Sequence, residues 1–215
     1  MGKKVLLTGF DPFGGEKINP ALEGVKQLDG KFIDDIEIVA QAVPTVFHES
    51  INVVINAIQI HKPDVVICVG QAGGRTQVTP ERVAINIDDA RIPDNQGNQP
   101  IDEPIYEEGP PAYWTTLPVK RIVHEMKKAG VPAAVSNTAG TFVCNHLFYG
   151  IMHYLEKNAP HVRGGFIHIP FIPEQTIEKN APSLSLDVIV NGLKIAALVA
   201  ANEKEDIREI GGATH

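Results

Sequence analysis

The run Val65-Val66-Ile67-Cys68-Val69 constrains this chain more than any other feature. Pro63-Asp64 introduces it, Gly70 closes it, and no polar residue interrupts it. A strand with one wet face would alternate apolar and polar residues. A continuous β-branched run has to be covered on both faces, which parallel sheets flanked by helices provide. The rest of the chain supplies the matching pieces. Residues 5–8, 36–42, 83–87, 133–136 and 165–169 read as strands, and residues 20–28, 47–60, 119–129, 144–157 and 183–202 as helices. Ser183 or Ser185 is the expected N-cap of the last helix. Alternating strands and helices predict an α/β fold with a mainly parallel, mixed and twisted sheet, built as one domain over residues 1–215. No internal repeat or low-complexity tract is present.

Composition narrows the class of partner. With 43% apolar and 21% charged residues, a chain of 215 residues can bury one core without staples. The net charge of −7 and the lack of a Lys/Arg cluster exclude a nucleic-acid partner. Two cysteines do not make a disulfide framework, and a reducing, cytoplasmic setting is expected. The start Met1-Gly2-Lys3-Lys4-Val5-Leu6-Leu7-Thr8 has too short an apolar run for a signal peptide. The longest apolar stretch elsewhere, 195–201, falls far below the roughly 20 residues that span a bilayer, so no membrane contact is expected.

Cys144 is the first candidate for chemistry. It follows the turn Asn137-Thr138-Ala139-Gly140 and opens a helix. A helix N-terminus offers unpaired N–H groups and positive dipole, which favour thiolate over thiol and can hold an oxyanion. The position also suits a small buried apolar side chain, and local sequence does not separate the two. Cys68, inside its apolar run, is a packing residue. His168 lies in Phe166-Ile167-His168-Ile169-Pro170, at a strand end where open α/β sheets place their sites. A hydrogen-bonded core histidine would look the same. His146 is turned to a different helix face from Cys144, and His153 lies beyond reach. His48, His61, His124, His161 and His215 read as surface residues. Glu81 is placed either to orient an imidazole or to pair with a neighbouring base. The glycines of Gly70-Gln71-Ala72-Gly73-Gly74-Arg75 suit a backbone that closely approaches a substrate carbonyl or lactam. No metal motif is present, and no cofactor is expected. Residues 91–118 are rich in Pro, Gly, Asn and Glu without a period, a length of loop that usually serves a site or an interface.

Three motifs in order carry a resemblance. The opening Leu6-Leu7-Thr8-Gly9-Phe10-Asp11-Pro12-Phe13-Gly14-Gly15 leads to Gly70-Gln71-Ala72-Gly73 and Pro80-Glu81-Arg82-Val83-Ala84-Ile85-Asn86. Val135-Ser136 continues through Ala139-Gly140-Thr141-Phe142-Val143-Cys144-Asn145, and Gly164-Gly165-Phe166-Ile167-His168-Ile169-Pro170 follows. Over nearly its whole length the chain resembles the type I pyroglutamyl (pyrrolidone-carboxylate) peptidases. The resemblance implies a three-layer α/β/α sandwich, commonly a homotetramer, that removes N-terminal pyroglutamate from peptides. It makes Cys144 the nucleophile, His168 the general acid/base and Glu81 the orienting carboxylate.

A neutral lactam recognised in place of a charged N-terminus calls for an apolar pocket. Phe13, Phe142 and Phe10 are the candidates to enclose the ring, Gln71 to contact the lactam, and the N–H groups around Phe142, Val143 and Cys144 to hold the oxyanion. Arg91 at the loop entrance either assists or forms a structural ion pair. The competing reading is a phosphate-dependent transferase resembling the nucleoside phosphorylases, with Arg75 or Arg91 binding an anion.

Overall fold

The computed structural model describes residues 2–212, so His215 lies outside the described residues. Eight strands and five helices follow in the order β1 (Lys3–Phe10), α1 (Pro20–Lys26), β2 (Phe32–Ile33), β3 (Ile36–Val43), α2 (Glu49–His61), β4 (Val65–Gln71), β5 (Thr79–Pro80), β6 (Val83–Ile85), β7 (Ala112–Trp114), α3 (Val119–Lys128), α4 (Val143–Asn158), β8 (Arg163–Ile169) and α5 (Leu186–Asn202). The main sheet runs β2-β3-β1-β4-β8-β5. Strands β3, β1, β4 and β8 are parallel, while β2 and β5 join the two edges antiparallel.

All seven residues of β4 are buried, as its unbroken apolar run requires. Val65, Ile67 and Val69 point into one core with Ala21, Val25, Ile122, Met126 and Leu193, from α1, α3 and α5. Val66 and Cys68 point into a second core with Ile51 and Val54 of α2 and Leu147 and Phe148 of α4. Each aliphatic side chain sealed this way contributes about 1.5–3 kcal/mol. The outcome is the expected α/β/α sandwich with a mostly parallel, mixed sheet.

Helix ends follow local chemistry. Asn19 caps α1 by accepting from Ala21 N at 3.0 Å, with Pro20 in the first turn. Lys62, in the left-handed region at φ 48°, ends α2 before Pro63. Ser185 precedes α5 in extended geometry, though its side chain makes no capping bond.

Two expected strands differ. Residues 83–87 shorten to β6, which pairs with β7 in a separate two-stranded ribbon. Residues 133–136 form only two isolated parallel bridges, Val78↔Ala133 and Glu81↔Ser136. The cause is Pro80. The bonds Val78 N→Pro132 O, Ala134 N→Val78 O, Ser136 N→Pro80 O and Arg82 N→Ser136 O all form, and the missing rung is the one Pro80 has no N–H to make.

Candidate active site

Cys144 is the second residue of α4. The chain reaches it through a tight turn: Thr138 N donates to Ser136 Oγ, Gly140 N donates to Thr138 Oγ1, and Gly140 takes φ 75°. Phe142 then enters the helix in extended geometry and caps no N–H with its side chain. Among the described residues, the N–H groups of Val143, Cys144 and Asn145 accordingly have no partner. Asn145, fully buried, bolts this end of α4 in place: its Oδ1 accepts from Ile85 N at 3.0 Å, and its Nδ2 donates to Ile85 O and Ile87 O at 2.9 and 3.0 Å.

The sulfur lies against the carboxyl end of the sheet. A Cβ built on Gly70 would stand 2.8 Å from Cys144 Sγ and 2.8 Å from Phe166 Cζ. The protein group that closely approaches this glycine is the cysteine itself; Gly73 likewise faces the Phe171 ring. Gly70 is the register partner of His168 on β8. Neighbouring strands run about 4.8 Å apart, so the sulfur sits over the strand position next to the imidazole. His168 Nδ1 bonds Glu81 Oε1 at 2.7 Å, which directs the other ring nitrogen away from the carboxylate. Glu81 is completely buried, and the same oxygen accepts from Arg75 Nη1 at 2.7 Å. Both uses weighed for Glu81 therefore coexist. Arg75 also bonds Thr79 Oγ1, and its Nη2 reaches Thr138 O at 3.1 Å, so it ties the glutamate to the turn that delivers Cys144.

Burial decides the resting charges. It pushes the Cys144 thiol up to about 12; the Glu81 charge adds to the rise, and the Arg75 charge opposes it. Burial also lowers His168 below the ordinary histidine value, against the upward pull of the Glu81 bond and charge. Both directions favour the neutral thiol and the neutral imidazole. Desolvation works against the thiolate that the helix end favours. Cys68, sealed in β4, is likewise pushed up to about 12 by burial.

The aromatic residues divide. Phe13 and Phe142 are half-buried with ring centroids 6.1 Å apart, and Phe47 meets Phe142 edge-on at 5.5 Å. Phe10, only 2% exposed, instead packs on Phe166 inside the core, because it ends β1 on the face that α4 covers. Val143 likewise buries its side chain completely, leaving its N–H as the group at hand. Gln71 ends β4, with its Oε1 bonded to Gln175 Nε2 at 2.8 Å. Arg91 is exposed, and no ion pair involves it among the described residues. The long loop buttresses this region: Asn95 Nδ2 donates to Pro12 O at 2.9 Å, and Asp94 Oδ2 accepts from Phe47 N at 2.9 Å.

Sequence reasoning missed a second buried pair. His146 does face away from Cys144, but toward Asp88: its Nδ1 meets Asp88 Oδ2 at 2.7 Å, and its Nε2 accepts from His48 N at 2.8 Å. An accepting Nε2 makes this imidazole neutral, with its proton on Nδ1. Its ring packs edge-on to Phe47 at 5.2 Å, which links the pair to the aromatic wall. No local signal announces it, because Asp88 and His146 are 58 positions apart.

Comparison with known proteins identifies the family. A pyroglutamyl peptidase family model matches residues 3–203. The pyrrolidone-carboxylate peptidase of Bacillus licheniformis is 63% identical, covering 99% of each chain. That of Bacillus subtilis is 61% identical over the full length of both. The crystal structure of pyroglutamyl peptidase I from Bacillus amyloliquefaciens superposes with a TM-score of 0.97 at 64% identity, covering 98% of this chain and all of the other. A mutant pyrrolidone carboxyl peptidase from Pyrococcus furiosus gives 0.90 at 42% identity, covering 93% of this chain and 99% of that one. On this combination of match, identity and shared fold, the chain belongs to the pyroglutamyl peptidase family of cysteine-type hydrolases.

Proposed function

We propose that the chain hydrolyses the amide bond following an N-terminal pyroglutamyl residue, with Cys144 as nucleophile, His168 as general base and acid, and Glu81 as the orienting carboxylate. The observation that carries this reading is the placement of the Cys144 sulfur against Gly70, the register partner of an imidazole already bonded to buried Glu81.

Sulfur attacks the carbonyl carbon as His168 Nε2 takes the thiol proton, so charge separates only when substrate is present. The oxyanion is held by the free N–H groups of the first turn of α4. His168 then gives its proton to the departing amine, the C–N bond breaks and a thioester remains. Water, deprotonated by the same nitrogen, releases pyroglutamate and restores the thiol. Glu81 holds the tautomer through Nδ1 and stabilises the transient imidazolium.

Selectivity follows from an uncharged pocket between Phe13 and Phe142. Placing an ordinary N-terminal ammonium there costs at least about 2–3 kcal/mol. The anion-binding alternative loses one of its two candidate cations, since Arg75 is committed to Glu81. Two free cysteines fit a cytoplasmic setting. Exposed Trp114 and Ile101, at 67% and 70%, fit burial on self-association to a homotetramer. Among the described residues no helix is long and apolar enough to cross a membrane.

The test is hydrolysis of pyroglutamyl- and prolyl-aminomethylcoumarin by reduced protein. Strong pyroglutamyl and weak prolyl cleavage is expected. Cleavage of neither by folded protein overturns the proposal.

A further inference from the structure

We propose that His146 is a positioning residue for the substrate pocket: its imidazole holds His48 in a strained backbone turn, and that turn fixes the Phe47 ring that backs Phe142. The inference rests on the peptidase reading above, which puts the pyroglutamyl ring between Phe13 and Phe142. His48 takes φ 60° and ψ −46°. A positive φ is uncommon for a residue with a Cβ, and this ψ lies outside even the left-handed helical region. Glu49 N donates to Phe47 O at 2.6 Å, so residues 47–49 form the γ-turn of positive φ, which is rare and strained. Strain of this kind persists only where the surroundings over-determine it.

The surroundings here do so. Phe47 N donates to Asp94 Oδ2 at 2.9 Å, and His48 N donates to His146 Nε2 at 2.8 Å. With Glu49 N, three successive N–H groups are committed, two of them to side chains 47 and 98 positions away. His146 can accept only while its proton stays on Nδ1, and Asp88 Oδ2, at 2.7 Å, holds it there. Asp88 is anchored in turn: its N donates to Glu103 O at 2.7 Å, and its O accepts from Glu103 N at 3.0 Å. Both members of the pair are buried, whereas His48 is exposed and is gripped by its backbone N–H.

The turn sets the wall of the pocket. The buried Phe47 ring meets His146 edge-on at 5.2 Å and Phe142 edge-on at 5.5 Å, and Phe142 stands 6.1 Å from Phe13. Thr45, two residues before Phe47, donates through its N to Asp11 Oδ1 at 2.7 Å, which joins this segment to the one carrying Phe13. Release of His48 lets Phe47 shift and loosens the wall against which the lactam ring packs. Binding of the ring weakens in the ground state and the transition state alike, which raises KM and spares kcat.

The experiment measures KM and kcat for pyroglutamyl-aminomethylcoumarin, with thermal unfolding alongside, in wild type, His146→Leu, His48→Gly and the two combined. His146→Leu removes the acceptor; KM should rise about tenfold, with kcat changed less than about twofold. Glycine adopts a positive φ without steric cost, so His48→Gly should raise the unfolding temperature by about 2–4 °C. In that background His146→Leu should raise KM no more than about threefold, because the turn no longer needs holding. Most of its loss in unfolding temperature should persist there, because Asp88 stays unpaired. A histidine that merely fills the core would change KM equally in both backgrounds. If His146→Leu fails to fold, His146→Leu with Asp88→Leu removes the buried charge along with the acceptor, and the same two backgrounds are compared. An unchanged KM in the folded variants, an equal rise in both backgrounds, or a fall in kcat with KM constant overturns the inference. If wild type cleaves no pyroglutamyl substrate, the peptidase reading fails instead; the temperature gain of His48→Gly still reports on the turn, so the two failures are distinct.

Discussion

Gly70→Ala tests the placement of the nucleophile through a single methyl group. The added Cβ would lie 2.8 Å from Cys144 Sγ, 2.8 Å from Phe166 Cζ and 3.0 Å from Phe166 Cε1. Relaxed contacts need about 3.5–4.0 Å, so each is short by roughly 1 Å. The Phe166 ring cannot give way: it is fully buried, with Phe10, Phe148 and His168 ring centroids at 6.4, 5.9 and 4.8 Å. The cysteine must move instead, by rotating its side chain or by lifting the end of α4. Overpacking of this kind costs about 1–3 kcal/mol of stability. A reacting atom displaced by about 1 Å loses on the order of 10²-fold in rate. Thermal unfolding and kcat/KM on pyroglutamyl-aminomethylcoumarin read the two effects separately. Gly192→Ala is the control: its Cβ meets Val131 Cγ1 at 3.3 Å, a small squeeze set against a helix-propensity gain of up to about 1 kcal/mol in α5, and no site residue is among its neighbours. If Gly70→Ala keeps wild-type kcat/KM and stability, the sulfur does not rest where the account puts it.

Further predictions follow from the charges. Arg75→Met leaves buried Glu81 with one partner; since the Arg75 side chain is 25% exposed, the loss should fall near the low end of the buried-pair range, about 3 kcal/mol by urea denaturation. His146→Leu strands Asp88 and the His48 N–H, and should destabilise by about 3–5 kcal/mol; His146→Leu with Asp88→Leu should be less damaging than the sum of the two single changes. His168 has a folded pKa below its unfolded value of 6.5, so its contribution to stability is present above pH 6.5 and fades as pH falls through the folded value. The acid limb of kcat/KM should accordingly lie below pH 6.5, and a limb at or above 6.5 contradicts a burial-depressed imidazole. Half-buried Cys144 should alkylate with iodoacetamide faster than sealed Cys68, though slowly at neutral pH because desolvation favours its thiol; equal rates for the two in native protein would contradict the difference in exposure.

Much of the fold was legible because burial leaves a local trace. The unbroken run Val65–Val69 announced a strand sealed on both faces, and β4 is that strand. The segment 133–136 misled because its residues carry the right propensity, while the defect that breaks the ladder belongs to Pro80 on the facing segment. In the site, Cys144 at a helix start and His168 at a strand end were legible from position only as candidates, each with a packing alternative, and the resemblance singled them out. Arg75 and the His146–Asp88 pair were not legible, since each acts through partners distant in sequence. A buried polar residue becomes readable only when its partner is known. The preference of Cys144 for thiolate or thiol was not legible for a related reason. The helix end is a local feature, whereas desolvation is set by the whole fold.

The most direct test of the central claim is kcat/KM for pyroglutamyl-aminomethylcoumarin in wild type and Cys144→Ala, with circular dichroism to establish that both are folded. Loss of a nucleophile that works as a unit with its base predicts a fall on the order of 10⁴-fold or more in the folded variant. Hydrolysis within tenfold of wild type by folded Cys144→Ala would contradict the account.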